Sequence, residues 1–111
     1  MATDMNWLIL IVAGLCEMSF TFCLGKMNEA TGHAFTGWLA GLIVFYILSM
    51  VLLAQAVKTI PVGTAYAVWT GIGAVGAVVL GIVFFHEPVT FWRVFFLTTL
   101  IASIVGLKLF A

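Results

Sequence analysis

Four long stretches of this chain hold almost no charge, and nothing else in the sequence constrains the fold as strongly. Residues 5–25 contain one charged side chain, Glu17. No charge occurs from Ala34 to Val57 or from Val62 to Phe85. Residues 89–110 carry only Arg93 near the start and Lys108 near the end. Each stretch is about 20 residues or longer, the length an α-helix needs to cross the hydrocarbon core of a bilayer. Only 7% of the 111 residues are charged, 65% are hydrophobic, and the mean hydropathy is +1.30. A soluble domain needs about a quarter Asp, Glu, Lys and Arg on its surface, so most of this surface must face lipid. Lipid also obliges every backbone group to find a partner within its own segment, which selects helices over open strands. The expectation is an all-α membrane protein: one domain over 1–111, with four transmembrane helices at roughly 5–25, 34–57, 62–85 and 89–110.

Polar material separates the spans: Lys26, Asn28, Glu29, Thr31, Gly32 and His33, then Lys58-Thr59-Ile60-Pro61, then His86-Glu87-Pro88. These predict loops of roughly 4–9 residues and antiparallel neighbours, with no soluble domain left over. The first span lacks a basic leader region and a cleavage site, so it is expected to be retained rather than removed as a signal peptide. Net charge is zero, which gives no basic surface for nucleic acid. Cys16 and Cys23 share a helical face but lie too far apart along it to bond each other, and two buried, reduced thiols are expected.

Charge does not orient the chain. One side would hold Lys58 and Lys108, the other Lys26 and Arg93, so the positive-inside rule gives no preference. Either the chain inserts both ways, or a partner fixes it, or the simple count misses something. Dual insertion would allow an inverted pair, an eight-helix unit with pseudo-two-fold symmetry in the membrane plane.

Glu17 falls near mid-membrane. A carboxylate there costs about 2–3 kcal/mol on insertion scales. Desolvation disfavours its ionised form, so the group suits either reversible protonation or binding of a partly dehydrated cation. The alternative is a structural, permanently protonated glutamate bonded to a neighbouring helix. Ala13 and Gly14 on one side and Phe20 and Thr21 on the other are its helical neighbours. The small pair leaves room beside the carboxyl, Thr21 offers a hydroxyl, and Phe20 offers a ring.

In the third span Tyr66 and Trp69 share a face, and Trp69 lies deeper than the interface where such residues collect. Aimed at a carboxylate, they would suit a cationic substrate through cation–π contact; ordinary packing aromatics are the alternative. Gly71, Gly73 and Gly76 match the dinucleotide fingerprint, but no strand precedes them and no βαβ unit exists. Small residues at these spacings instead let helices pack closely or bend.

A four-span chain of this length, with a lone glutamate in its first span and Pro61-Val-Gly-Thr-Ala-Tyr-Ala-Val-Trp-Thr-Gly-Ile-Gly in its third, resembles the small multidrug resistance family of bacterial proton-coupled exporters. The resemblance covers the whole chain and looks most like the guanidinium-exporter subtype, as does Gly106-Leu107-Lys108. It implies an antiparallel dimer of eight helices in the bacterial inner membrane, either a homodimer or a heterodimer with a second chain of the family. It also implies that Glu17 binds protons and substrate, that Tyr66 and Trp69 line the pocket, and that Ser49 helps to organise the glutamates. Lys108 matches a lysine typical of the subtype. Phe20 stands where guanidinium exporters usually have tryptophan, which keeps stacking but loses the indole N–H donor. Gly25 stands where a lysine is usual, with Lys26 one position later, and the first loop is a few residues longer. Tyr46 matches a tyrosine of the quaternary-ammonium subtype. These departures point to an altered substrate range, or to a subunit that pairs with a second, non-identical chain.

The implied activity is antiport of protons against small cations, most simply guanidinium, whose planar fork suits a carboxylate. Phe20 and Tyr46 favour a rival reading, export of quaternary ammonium or lipophilic cations. A reading from another class is a non-transporting membrane assembly subunit, which would tolerate changes at Glu17. No enzyme, cofactor or metal site is expected: His33 and His86 lie in separate loops, and no nucleophile–base set is visible. His86 beside Glu87 reads as a solvated loop pair.

Overall fold

Helix ends in this chain are set by a few backbone requirements, not by charge alone. The structure, a computed structural model, describes residues 2–110. It has four helices, α1 (Ala2–Glu29), α2 (His33–Ala56), α3 (Val62–Phe84) and α4 (Phe91–Leu109), each long and apolar enough to cross a membrane. Residues 26–29, whose polarity predicts loop, form the last turn of α1. The Lys26 stem lets its ammonium reach outward while the backbone stays helical, and Lys26 Nζ lies 3.9 Å from Glu29 Oε2 one turn on. The first connection is therefore only residues 30–32. It closes at Gly32, whose φ of 62° suits a residue without a Cβ.

The second connection keeps turn-type bonding, with Ile60 N–H donating to the Ala56 carbonyl at 3.1 Å. Pro61 (φ −53°) then leads into α3, where its fixed φ and missing donor cost nothing. Thr90 caps α4, its Oγ1 accepting from the Arg93 N–H at 3.2 Å, so the helix begins with one of its orphan donors satisfied.

α1 is the central helix. It packs against both α2 and α3, which touch each other little, while the α4 backbone approaches only α3. The core gathers at one end of the molecule, from Trp7 and Leu10 of α1, Leu53 and Ala56 of α2, Ile60 of the connection, and Ala65 and Val68 of α3. That end is fastened by Asn6, which donates to Thr59 Oγ1, and by the Lys108 ammonium, 5.3 Å from the centre of the Trp7 ring. The far end, where α1 finishes and α3 meets the third connection, is open. Among the described residues, none of α4 is buried. The molecule measures 45 × 34 × 18 Å, too thin in one direction to surround a mid-membrane site with protein on every side.

Glycines set the helix spacing. A Cβ at Gly14 would lie 2.7 Å from the Ile72 Cβ, a stiff β-branched neighbour, and Gly76 is filled by Met18 in the same way. Gly14→Ala should therefore destabilise the protein by about 1–3 kcal/mol in detergent–SDS unfolding titrations. Gly37→Ala, which meets open space, should be neutral or slightly stabilising.

Candidate functional site

Glu17 lies on α1 four residues beyond Ala13 and projects toward α3. Its carboxyl rests against Gly73, where any Cβ would overlap it. Oε2 is buried and has no hydrogen-bond partner among the described residues. The room that Ala13 and Gly14 were expected to leave is taken: Ala13 is fully buried and the Gly14 gap holds Ile72. The space for the carboxyl comes instead from a glycine on the facing helix.

One turn back from Glu17, a chain of hydrogen bonds joins three helices. Ser49 of α2, fully buried, donates its hydroxyl to the Ala13 carbonyl at 2.7 Å. The same hydroxyl accepts from the Trp69 indole N–H of α3 at 2.8 Å. In an α-helix the Ala13 carbonyl is also the i−4 partner of the Glu17 N–H. Ser49 thus shares the carbonyl acceptor of the Glu17 N–H one turn before the glutamate, and Trp69 fixes the direction in which Ser49 donates.

The aromatic residues form two pairs. Tyr66 lies against Trp69 with ring centres 5.5 Å apart and planes tilted by 48°, and it is 58% exposed. Phe20 meets Tyr46 edge to face at 5.7 Å, and Tyr46 is also exposed. The Thr21 hydroxyl is not offered to the carboxyl; it donates to the Glu17 backbone carbonyl at 3.0 Å, a common habit of threonine inside helices. Gly71, Gly73 and Gly76 are buried on an unbroken α3. Gly73 and Gly76 admit Glu17 and Met18 of α1, and Gly71 admits Ile104 of α4. Lys108 is elsewhere, over Trp7 at the closed end. Glu17, Ser49, Trp69 and Gly73 therefore form one constellation, with Tyr66 at its edge, while Phe20 and Tyr46 pair beside it.

Three features were not foreseen from the sequence. The Ala13 carbonyl is a backbone atom and leaves no residue signature. Ile72 beside Gly14 is visible only once two helices are docked. Glu87 does not pair with His86 but folds back on Gly81 and binds Arg93, Oε1 to Nη2 at 2.6 Å. His86 supplies the reversal with a φ of 58°, uncommon for a residue other than glycine. Cys16 and Cys23 are buried and free.

The geometry makes two separable predictions. Ser49→Ala leaves the Trp69 indole N–H unpaired and should cost about 1–3 kcal/mol, with the assigned Trp69 Nε1–H NMR resonance moving upfield. Gly73→Ala should displace the Glu17 carboxyl and shift its assigned 13C carboxyl NMR resonance, whereas Gly63→Ala, facing open space, should leave that resonance in place.

The family model described as Small Multidrug Resistance protein matches residues 5–100. The chain is 44% identical over 105 residues to the "Probable guanidinium efflux system subunit" of Bacillus licheniformis, covering 95% of this chain and 98% of that one. It is 45% identical over 107 residues to the "Guanidinium exporter" of Escherichia coli, covering 95% and 97%. It is 43% identical over 109 residues to the protein of that name in Salmonella typhimurium, covering 96% and 99%. With four membrane-length helices and a family match over most of its length, the chain is a multi-pass membrane protein that belongs to the Small Multidrug Resistance family.

Proposed function

We propose that this chain is a proton-coupled antiporter of the bacterial inner membrane that exports guanidinium or substituted guanidinium compounds. The observation that carries this reading is the half-buried Glu17 carboxyl against Gly73, its buried Oε2 lacking a partner among the described residues. An unpaired charge at that depth is costly, so the carboxyl needs either a proton or a cation. Guanidinium offers two parallel N–H donors to the two carboxylate oxygens. One carboxylate cannot hold both, and this competition couples the fluxes: cation entry expels the proton, and protonation expels the cation. The names of the relatives favour guanidinium as the cation.

The remaining roles follow from placement. Ser49, bridging Ala13 and Trp69, holds the glutamate-bearing turn of α1 in register with α3. Tyr66 and Trp69 present ring faces to an approaching cation. The 18 Å thickness and the exposed Tyr46 and Tyr66 support a second protomer over this face. An antiparallel partner would bring a second carboxylate to a shared cavity, and exchanging the two protomers' conformations would open that cavity to the opposite side. The partner is a second copy or a related chain. The Bacillus licheniformis relative is called a subunit, which supports pairing with a non-identical chain. The edge-to-face pair of half-buried Phe20 and exposed Tyr46 favours a broader site that also admits quaternary ammonium ions.

Transport into proteoliposomes under a pH gradient tests these readings. The protein should move guanidinium against the proton gradient, and Glu17→Gln should reduce uptake to that of empty liposomes. Undiminished transport by Glu17→Gln would sink the proposal. Comparing guanidinium with a tetraalkylammonium ion separates the two substrate readings. Activity of the chain reconstituted alone, against none until a second family chain is added, separates the two dimers.

A further inference from the structure

Every second backbone carbonyl of α1 from Ala13 to Glu17 accepts a side-chain hydroxyl. Ser49 of α2 donates to the Ala13 carbonyl at 2.7 Å. Ser19 donates to that of Leu15 at 3.0 Å, and Thr21 to that of Glu17 at 3.0 Å. α1 runs unbroken through these residues, so the same three carbonyls are the i−4 acceptors of the Glu17, Ser19 and Thr21 N–H groups. Glu17 therefore lies inside a stretch of helix whose backbone acceptors are shared.

A carbonyl has two lone pairs and can accept both donors. The second donor draws it off the helix axis and lengthens the amide bond, which is how serine and threonine loosen and bend helices. The Ala13 and Glu17 carbonyls share one face and that of Leu15 lies on the opposite one. The ladder is thus eased on both sides, and no fixed bend results. Hydrocarbon raises the value of these hydroxyls. A carbonyl that parts from its amide there finds no water to replace it, whereas these three keep a donor.

The stretch is gripped at both ends and free to slide between them. Toward the packed core, Leu10 is wholly buried and Asn6 is tied to Thr59. Toward the first connection, the Phe85 ring fills the notch at Gly25, and Phe22 meets Trp38 of α2 edge to face, ring centres 5.7 Å apart. In between, Glu17 and Met18 lie on Gly73 and Gly76 of α3, which present no side chain for a moving turn to climb over.

We infer that residues 13–21 of α1 form a compliant turn on which the Glu17 carboxyl leaves the Gly73 notch and returns to it, with Ser19 and Thr21 as positioning residues that set its stiffness. A rigid turn would hold the carboxyl in the notch. A compliant one lets it move to meet a proton or a cation. The inference rests on the proposed function for what the motion serves, but the compliance itself does not depend on it.

The test follows backbone amide hydrogen exchange by NMR on the full chain in lipid bicelles. The Glu17, Ser19 and Thr21 amides should exchange faster than Val12 and Ala13 before them and Cys23 and Leu24 after them. Thr21→Val keeps the shape of the side chain and removes its hydroxyl. It should slow exchange of the residue 21 amide about fivefold, the equivalent of one net hydrogen bond, and lower kcat for guanidinium in proteoliposomes with KM little changed. Thr21→Ser should restore both. Thr98→Val, which removes a similar bond to the Val94 carbonyl of α4, should alter neither. Even protection along α1, a residue 21 amide that Thr21→Val leaves unchanged or speeds up, or a Thr21→Val protein with the natural kcat would overturn the inference. Exchange reads the turn without transport. Its failure leaves the antiport proposal standing, and a chain that does not carry guanidinium still has its turn tested.

Discussion

The structure depends on one awkward fact: a carboxyl group sits in the membrane interior against the backbone of a neighbouring helix, with one oxygen unpaired. Everything near it accommodates that group. Gly73 withdraws to admit it. The buried Ser49 hydroxyl secures the Ala13 carbonyl one turn before it and is itself secured by the Trp69 indole. A carboxyl whose buried Oε2 finds no partner among the described residues is a poor structural element but a suitable receptor for a proton or a cation, and competition between the two is all that antiport requires of a single site.

The protomer is built unevenly along the membrane normal. At one end Trp7, Leu10, Leu53, Ile60 and Val68 close a packed core, with Asn6–Thr59 and Lys108–Trp7 contacts over it. At the other end α1 and α3 separate around a cleft with a charged rim. The core end resists opening, because its apolar contacts must be broken together. The cleft end is held by ion pairs and cation–π contacts that water can replace at little cost. Motion that exposes Glu17 is therefore expected at the end where α1 meets the first connection. In an antiparallel pair, the open end of one protomer would lie beside the closed end of the other.

Much of the fold was legible in the sequence, because charge-free runs of membrane length leave only one economical structure. Glu17 was legible for the same reason: it is the sole charge in its span. The ends of the helices were less so. Lys26 and Glu29 suggest a loop, yet their long side chains reach water from a helix that continues beneath them. Thr21 sits at the right spacing to serve the carboxyl, but its hydroxyl had a nearer acceptor in its own backbone. The space beside Glu17 is expected from Ala13 and Gly14 because one sequence shows only one helix, whereas Ile72 and Gly73 belong to the helix packed against it. Ser49 has no local signature at all, and its importance comes from a backbone carbonyl on the neighbouring helix.

The thinness of the protomer and the unburied length of α4 leave room for the proposed second chain, yet the central claim can be tested without knowing that chain. Guanidinium is added to the purified, unbuffered protein in detergent, and the released protons are followed with a pH-sensitive dye. If Glu17 holds either a proton or the cation, guanidinium should acidify the solution in a saturable way, and Glu17→Gln should release nothing. Equal release from Glu17→Gln, or guanidinium binding by the natural protein with no proton release near the pH of half-protonation, would contradict the account.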